Sequence, residues 1–530
     1  MQKFLSILLV LAVCATPMFA DAIIGQDLQN AMNTERGDLQ VIVTLKKDAN
    51  VEATRGANKA QVLDVLAQQC EADQHFVKGL CAKLQSEGTV SEIVQFDMSN
   101  CISIKAASSA VQELALHSDI YSLTLDAEQT MIDPLAGEEV RATWGLNHIR
   151  AAQNKGHKGD GVVVAIVDTG IQTNHSGFAP GQVIKSKCKS FISGEGIEDG
   201  NGHGTHCAGT VGSPQYGVAT GAKLIGVKVL SASGSGSWTS VAGGVEYAAK
   251  NADVISMSLG GTDNGFDNPA ARAVRNAIAA GIPCAIAAGN SGASAKTIGT
   301  PGCEKPAITV GAIQQGGTIA RFSSRGPTQK GLQKPDITAP GVNVMSLWIG
   351  NGTRSISGTS MATPHVAGLC AVLLSANSGM NPAAIKKVLM STAKGTKQVN
   401  VHGEGCIDVP NALNATMALV EMGVNTRGNA STMRLEKEIE VDIVDGNVNF
   451  TKDIDAPFEV TITGLKADFS CDNAVISIDG NVVKEGAVKA NVKEKVSVKV
   501  SGGKHAIQGK AAGTSKKNGK GTIVVTISLW

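Results

Sequence analysis

The stretch SGTSMATPHVAG runs from Ser357 to Gly368, and an apolar run from Val366 to Leu374 continues it. This pattern predicts a tight turn that opens into a buried helix. Ser360 then lies at the helix N-terminus, where free backbone N–H groups and the positive end of the helix dipole can stabilise an oxyanion. A plain N-cap serine would fit the same residues. Other stretches of the chain therefore have to decide between the two interpretations.

Three further segments place chemically useful side chains next to apolar runs. Asp168 ends the apolar run of VVVAIVDTG, and Asn290 follows the apolar run of AIAAGNSG. His203 and His206 lie in DGNGHGTHCAGTVG, at the predicted start of a helix. A histidine held by a carboxylate can take the proton of a serine, and an asparagine amide can donate to an oxyanion. The spacing alone does not tell which of the two histidines is the base.

Short apolar runs alternate with helical segments over residues 140–420. The predicted strands are 162–167, 223–230, 254–259, 283–287 and 307–310, and the predicted helices are 239–251, 268–280, 360–376 and 382–391. This alternation predicts an α/β domain with a parallel sheet covered by helices on both faces. In such sheets ligands bind at the carboxyl ends of the strands, which is where Asp168 and Asn290 are expected.

The regions before and after this domain have different patterns of apolar and polar residues. Residues 21–130 read as strands 39–45, 90–96, 101–104 and 120–123 with helices 58–79 and 108–117, which is a βαββαβ order. Residues 433–530 alternate apolar and polar residues between glycine and aspartate turns, which predicts an all-β, sandwich-like domain. Residues 1–20 have the pattern of a secretory signal peptide. A lipoprotein signal at Leu11–Cys14 is the alternative, although Val13 is large for that position.

The overall composition excludes some function classes. Lys and Arg number 47 against 46 Asp and Glu, for a net charge of +1. Without a basic stripe, neither nucleic acid nor an anionic membrane is indicated as a partner. No apolar run after the signal is long enough to span a membrane, and we expect a monomer. Ten of the 11 cysteines follow residue 20. A secreted chain can form disulfides from them, but their spacing does not reveal the pairs.

Residues 140–420 resemble the subtilisin-like serine proteases, especially the proteinase K branch. The matching strings are VDTG at Asp168, DGNGHGTHCAGTVGS at His203, AAGNSG at Asn290 and SISGTSMATPHVAG at Ser360, with SLGG at residues 258–261. The chain order Asp, His, Ser is also that of subtilisin. The resemblance implies peptide-bond hydrolysis through an acyl-enzyme, with His203 as the base. Asp168 would orient His203, Ser360 would attack, and Asn290 with the Ser360 N–H would form the oxyanion hole.

The resemblance also implies how protein or peptide substrates bind. Gly234, Ser235 and Gly236 match one edge that pairs with an extended peptide, and the segment Ser258, Leu259 and Gly260 matches the facing edge. Leu259 and the glycines imply broad specificity for apolar residues before the scissile bond. Cys207 matches a free cysteine of this branch, which implies sensitivity to mercurials.

Two accessory features follow from the same resemblance. Residues 21–130 resemble the family's inhibitory propeptide, so we expect a self-processing zymogen cut between about residues 126 and 139. Asp336, in KPDITAPG, matches a calcium-ligating aspartate, with the Pro306 and Ile308 carbonyls as partners. A structural Ca²⁺ ion is therefore expected there, since oxygen ligands suit calcium. No organic cofactor is expected.

Two other functions compete with this one. Gly358-x-Ser360-x-Ala362 approaches the GxSxG motif of α/β-hydrolase esterases, but there the serine precedes its partners along the chain. A catalytically dead protease domain that binds through its C-terminal region is the second alternative. The intact Asp168, His203, Asn290 and Ser360 argue against it.

Overall fold

The structure is a computed structural model. It describes residues 22–530, except 35–36, 49–53, 55–56, 132–134, 137–143, 155, 266, 422–433, 445–446, 457–459, 491, 493, 501–502, 513, 516–518 and 529–530. The predicted signal peptide, 1–20, lies outside the described residues. The chain divides into two compact units: one contains residues up to 48, 72–95 and 100–126, and the other contains 49–71, 96–99 and 127–530.

The first unit is built on a five-stranded sheet in the order β1-β5-β2-β4-β3. The N-terminal elements are β1 Ile23–Ile24, α1 Gln26–Thr34, β2 Leu39–Leu45, α2 Lys59–Ser86, β3 Val90–Gln95, β4 Cys101–Ala106, α3 Ser108–Ala115 and β5 Ile120–Leu125. The predicted βαββαβ order is therefore present from β2 to β5. Strand β1 and helix α1 precede it and were not predicted.

A seven-stranded parallel sheet organises the second unit, in the order β16-β15-β14-β12-β8-β10-β9. Its strands are β8 Val163–Asp168, β9 Lys189–Ser190, β10 Lys223–Lys228, β12 Val254–Met257, β14 Cys284–Ala287, β15 Ile308–Ile313 and β16 Ile337–Pro340. The helices are α4 Trp144–His148, α5 His203–Gly212, α6 Trp238–Asn251, α7 Pro269–Ala279, α8 Thr359–Ala376, α9 Pro382–Thr392 and α10 Val409–Glu421, with 3₁₀ turns at Ala151–Gln153 and Lys185–Lys187. The predicted parallel α/β domain is confirmed.

Short strands outside this sheet form two small sheets. They are β6 Glu128–Met131, β7 Leu135–Ala136, β11 Ser235–Ser237, β13 Leu259–Gly260, β17 Val344–Trp348 and β18 Gly352–Ser357. Strand β6 pairs with β11 and β13, and β18 pairs with β17 and β7. Neither the hairpin of β17 and β18 nor the pairing of β6 was predicted.

Local sequence explains where several of these helices begin. Ser237 caps α6 by accepting the N–H of Ser240, whose hydroxyl in turn accepts the Ser237 N–H, which is a capping box. Asn268 caps α7 and is followed by Pro269 at the first helical position, where a missing N–H costs nothing. These caps fix the starts of two helices that pack on the parallel sheet.

The C-terminal strands form one antiparallel sheet in the order β23-β22-β25-β20-β19-β26-β21-β24. They are β19 Arg434–Val444, β20 Asn447–Ala456, β21 Val460–Ala467, β22 Cys471–Ile478, β23 Asn481–Val488, β24 Glu494–Val500, β25 Gly503–Ala512 and β26 Gly519–Ser528. The outermost strands β23 and β24 contact each other, so the sheet is barrel-like. The predicted all-β character is confirmed, but the sandwich of two separate sheets is wrong.

Helix α8 is long and apolar enough to cross a membrane by length and composition alone. It is 89% buried inside the fold, as expected of a central core helix. Within the part of the chain that the structure describes, no other helix passes this test.

Candidate active site

Asp168 and His203 form a buried pair at the carboxyl edge of the parallel sheet. Asp168 is the last residue of β8, and His203 is the first residue of α5. The His203 Nδ1 lies 2.7 Å from Asp168 Oδ1, which also accepts the Thr169 N–H at 2.7 Å. Neither side chain is exposed. A carboxylate in this position favours the histidine tautomer with its proton on Nδ1, which leaves Nε2 able to accept a proton.

His206 is a structural residue rather than the base. Its Nε2 donates to the carbonyl oxygens of Val344 at 3.0 Å and Arg354 at 3.1 Å. Burial lowers the pKa of His206 to about 3, so the ring is neutral. His206 is therefore held by backbone carbonyls, whereas His203 contacts Asp168.

Asp199 holds the loop before α5 and was missed by the sequence analysis. Its Oδ1 accepts the Thr169 hydroxyl at 2.9 Å and the Gly202 N–H at 2.9 Å. Its Oδ2 accepts the N–H and hydroxyl of Thr205 at 2.9 and 2.7 Å. Asp199 thus ties the segment after Asp168 to the helix that carries His203. The sequence feature that could have identified Asp199 is an aspartate followed by a glycine-rich segment, which is typical of turns held by an aspartate side chain.

Ser360 is the second residue of α8 and is fully buried. Its hydroxyl donates to the Ser258 carbonyl at 3.1 Å, and the Ser258 hydroxyl donates to the Ser360 carbonyl at 2.8 Å. Cys207, one turn after His203, places its Sγ 3.6 Å from the same Ser360 carbonyl. The starts of α5 and α8 therefore meet at this point.

Asn290 is oriented by the residue before Ser360. Its Oδ1 accepts the N–H and the hydroxyl of Thr359, both at 3.0 Å. A Cβ built on Gly358 would lie 3.1 Å from the Asn290 Nδ2, so a larger residue at 358 would crowd the amide. With its oxygen held in this way, Asn290 can offer its N–H₂ group to an oxyanion.

Asn290→Ala should lower kcat by about 10²- to 10³-fold with little change in KM, the loss measured for the equivalent donor of subtilisin. The reason is that the donor acts on charge that develops in the transition state. The measurement is steady-state hydrolysis of a peptide anilide. Asn264→Ala, which changes an exposed asparagine, is the control. A change of less than threefold in kcat for Asn290→Ala would contradict the oxyanion assignment.

The two predicted substrate edges flank one strand of this chain. In β11, Gly236 pairs with Gln129 of β6, and the Gly234 carbonyl accepts the Met131 N–H at 2.7 Å. On the other side, Leu259 of β13 pairs with Met131. Both edges are antiparallel to β6, so β6 lies between them in the way that an added strand does in β-augmentation.

The structure contradicts the predicted calcium site. Asp336 accepts the Lys334 Nζ on Oδ2 at 2.6 Å and the Lys386 Nζ on Oδ1 at 2.7 Å. Both ammonium groups also reach the Ala307 carbonyl, between the expected ligand carbonyls of Pro306 and Ile308. Burial opposes ionisation of Asp336, yet the two ammonium groups keep its pKa below the usual value. Burial lowers the pKa of Lys334 to about 7, but the two lysine nitrogens still occupy both carboxylate oxygens, so these residues do not fit Ca²⁺.

Lys334→Met should destabilise the protein by about 2–3 kcal/mol, because it removes one partner of a buried carboxylate. Lys386 would remain, so the loss is smaller than for a carboxylate left alone. Thermal unfolding in a Ser360→Ala background, which avoids self-digestion, is the measurement. Lys189→Met, an exposed lysine, should leave the midpoint within about one degree. An unchanged midpoint for Lys334→Met would show that the lysine does not support Asp336.

Most of the cysteines are unpaired in the described residues, and the expected disulfide stays a prediction. Eight of them are free thiols in the structure: Cys81, Cys188, Cys207, Cys284, Cys303, Cys370, Cys406 and Cys471. Burial raises the pKa of the Cys207 thiol well above its usual value, so it is protonated. The ligand atoms of Asp168, His203 and Cys207 all lie within 4.8 Å of one another. A soft metal bound there would block the catalytic pair, and the sensitivity to mercurials stays a prediction.

The chain matches the model of the subtilase family, Peptidase_S8, over residues 159–409. It is 38% identical over 371 residues to the cuticle-degrading protease of Metarhizium anisopliae, covering 65% of this chain and 90% of that protein. Serine protease AprX of Bacillus subtilis is 36% identical, with 62% of this chain and 83% of that protein covered. Proteinase R of Parengyodontium album is 36% identical, with 54% and 73% covered. The chain therefore belongs to the subtilase family and is a subtilisin-like serine endopeptidase.

Proposed function

We propose that the chain is a secreted serine endopeptidase that is made as a self-processing zymogen. Peptide bonds are hydrolysed by a triad of Asp168, His203 and Ser360 through an acyl-enzyme intermediate. The observation that carries this proposal is the buried 2.7 Å contact between Asp168 and His203, at the sheet edge where α8 presents Ser360. Residues 1–20, with their signal-peptide pattern, support secretion.

The reaction starts when Ser360 turns its hydroxyl from the Ser258 carbonyl to His203 Nε2. Such contacts commonly form only once substrate is bound. His203 takes the proton as the hydroxyl oxygen attacks the substrate carbonyl carbon, and Asp168 stabilises the imidazolium. Asn290 and the Ser360 N–H bind the resulting oxyanion. His203 then gives its proton to the leaving amine, and water hydrolyses the acyl-enzyme by the same steps.

Most of the substrate binding is proposed to come from backbone contacts. Strands β11 and β13 bind an extended segment through main-chain hydrogen bonds, which do not distinguish one substrate side chain from another. The pocket beside β13 has walls of Gly260, Gly261, Ala287 and Ala288. These small, apolar walls support broad acceptance of apolar residues before the scissile bond.

The N-terminal region is proposed as an inhibitory propeptide that assists folding. Strand β6 occupies the groove that a substrate would need. A second contact supports this proposal: Glu246 of α6 accepts the backbone N–H groups of Asp97, Met98 and Ser99 at 3.0, 2.9 and 3.1 Å. The three remaining parts of the proposal are a catalytic domain at 140–420, an accessory domain at 433–530, and a monomeric mature enzyme.

The maturation cut is proposed to fall between Met131 and Leu135. Met131 pairs with Leu259, which follows Ser258. Leu135 pairs with Ser357, three residues before Ser360. These two pairings, each within a few residues of Ser258 or Ser360, support a cut in this interval, which is narrower than the 126–139 expected from sequence.

Intact mass of the purified protein tests this proposal. Wild type should lose an N-terminal fragment that ends between residues 131 and 135, and the Ser360→Ala precursor should stay uncut because it lacks the nucleophile. Ser176→Ala, which changes an exposed serine, should be processed like wild type. Processing of the Ser360→Ala precursor at the normal rate would show that another protease makes the cut.

A further inference from the structure

The pocket beside the oxyanion hole has a volume of about 510 Å³ and contains a buried acid. It opens between β13 and the residues that follow β14, next to Asn290 and Met131 of β6. Under the proposed function, this position receives the side chain of the residue before the scissile bond. One wall is Gly260 and Gly261, and Gly261 exchanges two backbone hydrogen bonds with Thr300. The facing walls include Ala287, Ala288, Ile298 and Gly299.

The acid is Asp263, which lines this pocket and is only 7% exposed. Its Oδ1 accepts the N–H of Gly265 at 3.0 Å. Its Oδ2 is buried and has no hydrogen-bond donor among the described residues. Burial of an ionised oxygen without a partner is costly, by several kcal/mol in an apolar setting. A cationic group that enters the pocket would supply this partner.

The other charge at the pocket is Lys296, at an exposed position. Its backbone carbonyl accepts the Gln329 amide at 3.2 Å. Water and salt screen an exposed ammonium group far more than a buried carboxylate. Asp263 therefore sets the charge preference of the pocket interior, and Lys296 weakens it slightly.

We propose that Asp263 determines specificity and that the pocket binds lysine or arginine before the scissile bond. The apolar walls pack on the methylene stem, as they would on an apolar residue, and the charged end reaches Asp263 Oδ2. This inference rests on the proposed function and adds a class of substrate to the apolar residues already proposed. The competing account is that water alone satisfies Oδ2, in which case basic residues gain nothing.

The test compares peptide anilides that differ only in the last residue: lysine, arginine or methionine, the last being close to lysine in length but neutral. The mature wild-type enzyme should show a kcat/KM at least 10-fold higher for lysine than for methionine. Asp263→Asn, which keeps the shape, should lower the lysine and arginine values about 100-fold, the size expected for a buried charge pair. The kcat/KM of Asp263→Asn for the methionine substrate should stay within about threefold of the wild-type value.

Two further variants keep the result interpretable. Asp263→Glu should retain a basic preference, and Lys296→Gln should raise the ratio of lysine to methionine by less than about threefold. If Asp263→Asn does not fold, the inference is judged by the ratio of the wild-type kcat/KM values for the lysine and methionine substrates. A wild type that cleaves methionine better than lysine, or an Asp263→Asn that changes all three values in parallel, would overturn the inference and leave the proposed protease function intact. Cleavage of none of the three substrates would contradict both.

Discussion

Ser360→Ala should reduce kcat for peptide hydrolysis by about 10⁶-fold, the loss found when the nucleophile of subtilisin is removed. The alanine has no oxygen to form the acyl-enzyme, so only the oxyanion donors and substrate binding would contribute to the remaining rate. KM should change little, because the groove of β11 and β13 is untouched. The assay must use mature enzyme that was processed in trans, since the variant is not expected to cut its own precursor.

The fold of the Ser360→Ala variant should be intact. Its lost hydroxyl donates to the Ser258 carbonyl, and removal of one such bond costs about 1 kcal/mol. Ser176→Ala is the matched control with wild-type activity expected. If Ser360→Ala kept more than a hundredth of wild-type kcat, the nucleophile would be another residue.

Asp168→Asn should lower kcat by about 10⁴-fold at neutral pH, the effect of the same change in a serine protease triad. An amide nitrogen that faces His203 Nδ1 would favour the tautomer with its proton on Nε2, which cannot accept the proton of Ser360. The substitution keeps the size of the side chain, so the 0% exposed site should still pack. Steady-state kinetics on the same anilide give the measurement.

The control for this prediction is Asp160→Asn, which changes an exposed aspartate on the same domain. It should keep wild-type kcat and thermal midpoint. Asp199→Asn is a second comparison, because Asp199 positions the loop rather than His203 itself. We expect it to lower the thermal midpoint more than Asp168→Asn does. A loss below 10-fold for Asp168→Asn would mean that this carboxylate does not orient the base.

The catalytic domain was predictable because its signals are local. Most of the parallel strands are short apolar runs, with Lys189–Ser190 of β9 as an exception, and β8 ends on Asp168 just as its run does. The helices begin at visible caps such as Ser237 and Asn268. The family strings around Asp168, His203 and Ser360 then supplied the roles. The α/β-hydrolase alternative is set aside by the family match.

The features that the sequence did not reveal depend on contacts between distant segments. Asp336 looked like a calcium ligand, but Lys386 comes to it from helix α9 and cannot be anticipated from the KPDITAPG string. The C-terminal strands were visible as alternating runs, but alternation does not say which strands pair. Here β22 pairs with β25 as well as β23, which joins all eight strands in one sheet. Asp263 lacked a motif of its own, and only its place in the pocket points to the role proposed for it.

The most direct test of the central claim is covalent labelling of the mature enzyme with a fluorophosphonate, followed by peptide mass mapping. We expect one equivalent of label on Ser360, with loss of activity in proportion to labelling. Asp168→Asn should slow the labelling strongly, since the same base activates the serine towards the reagent. Label on a different residue, or full hydrolytic activity after complete labelling of Ser360, would contradict the account.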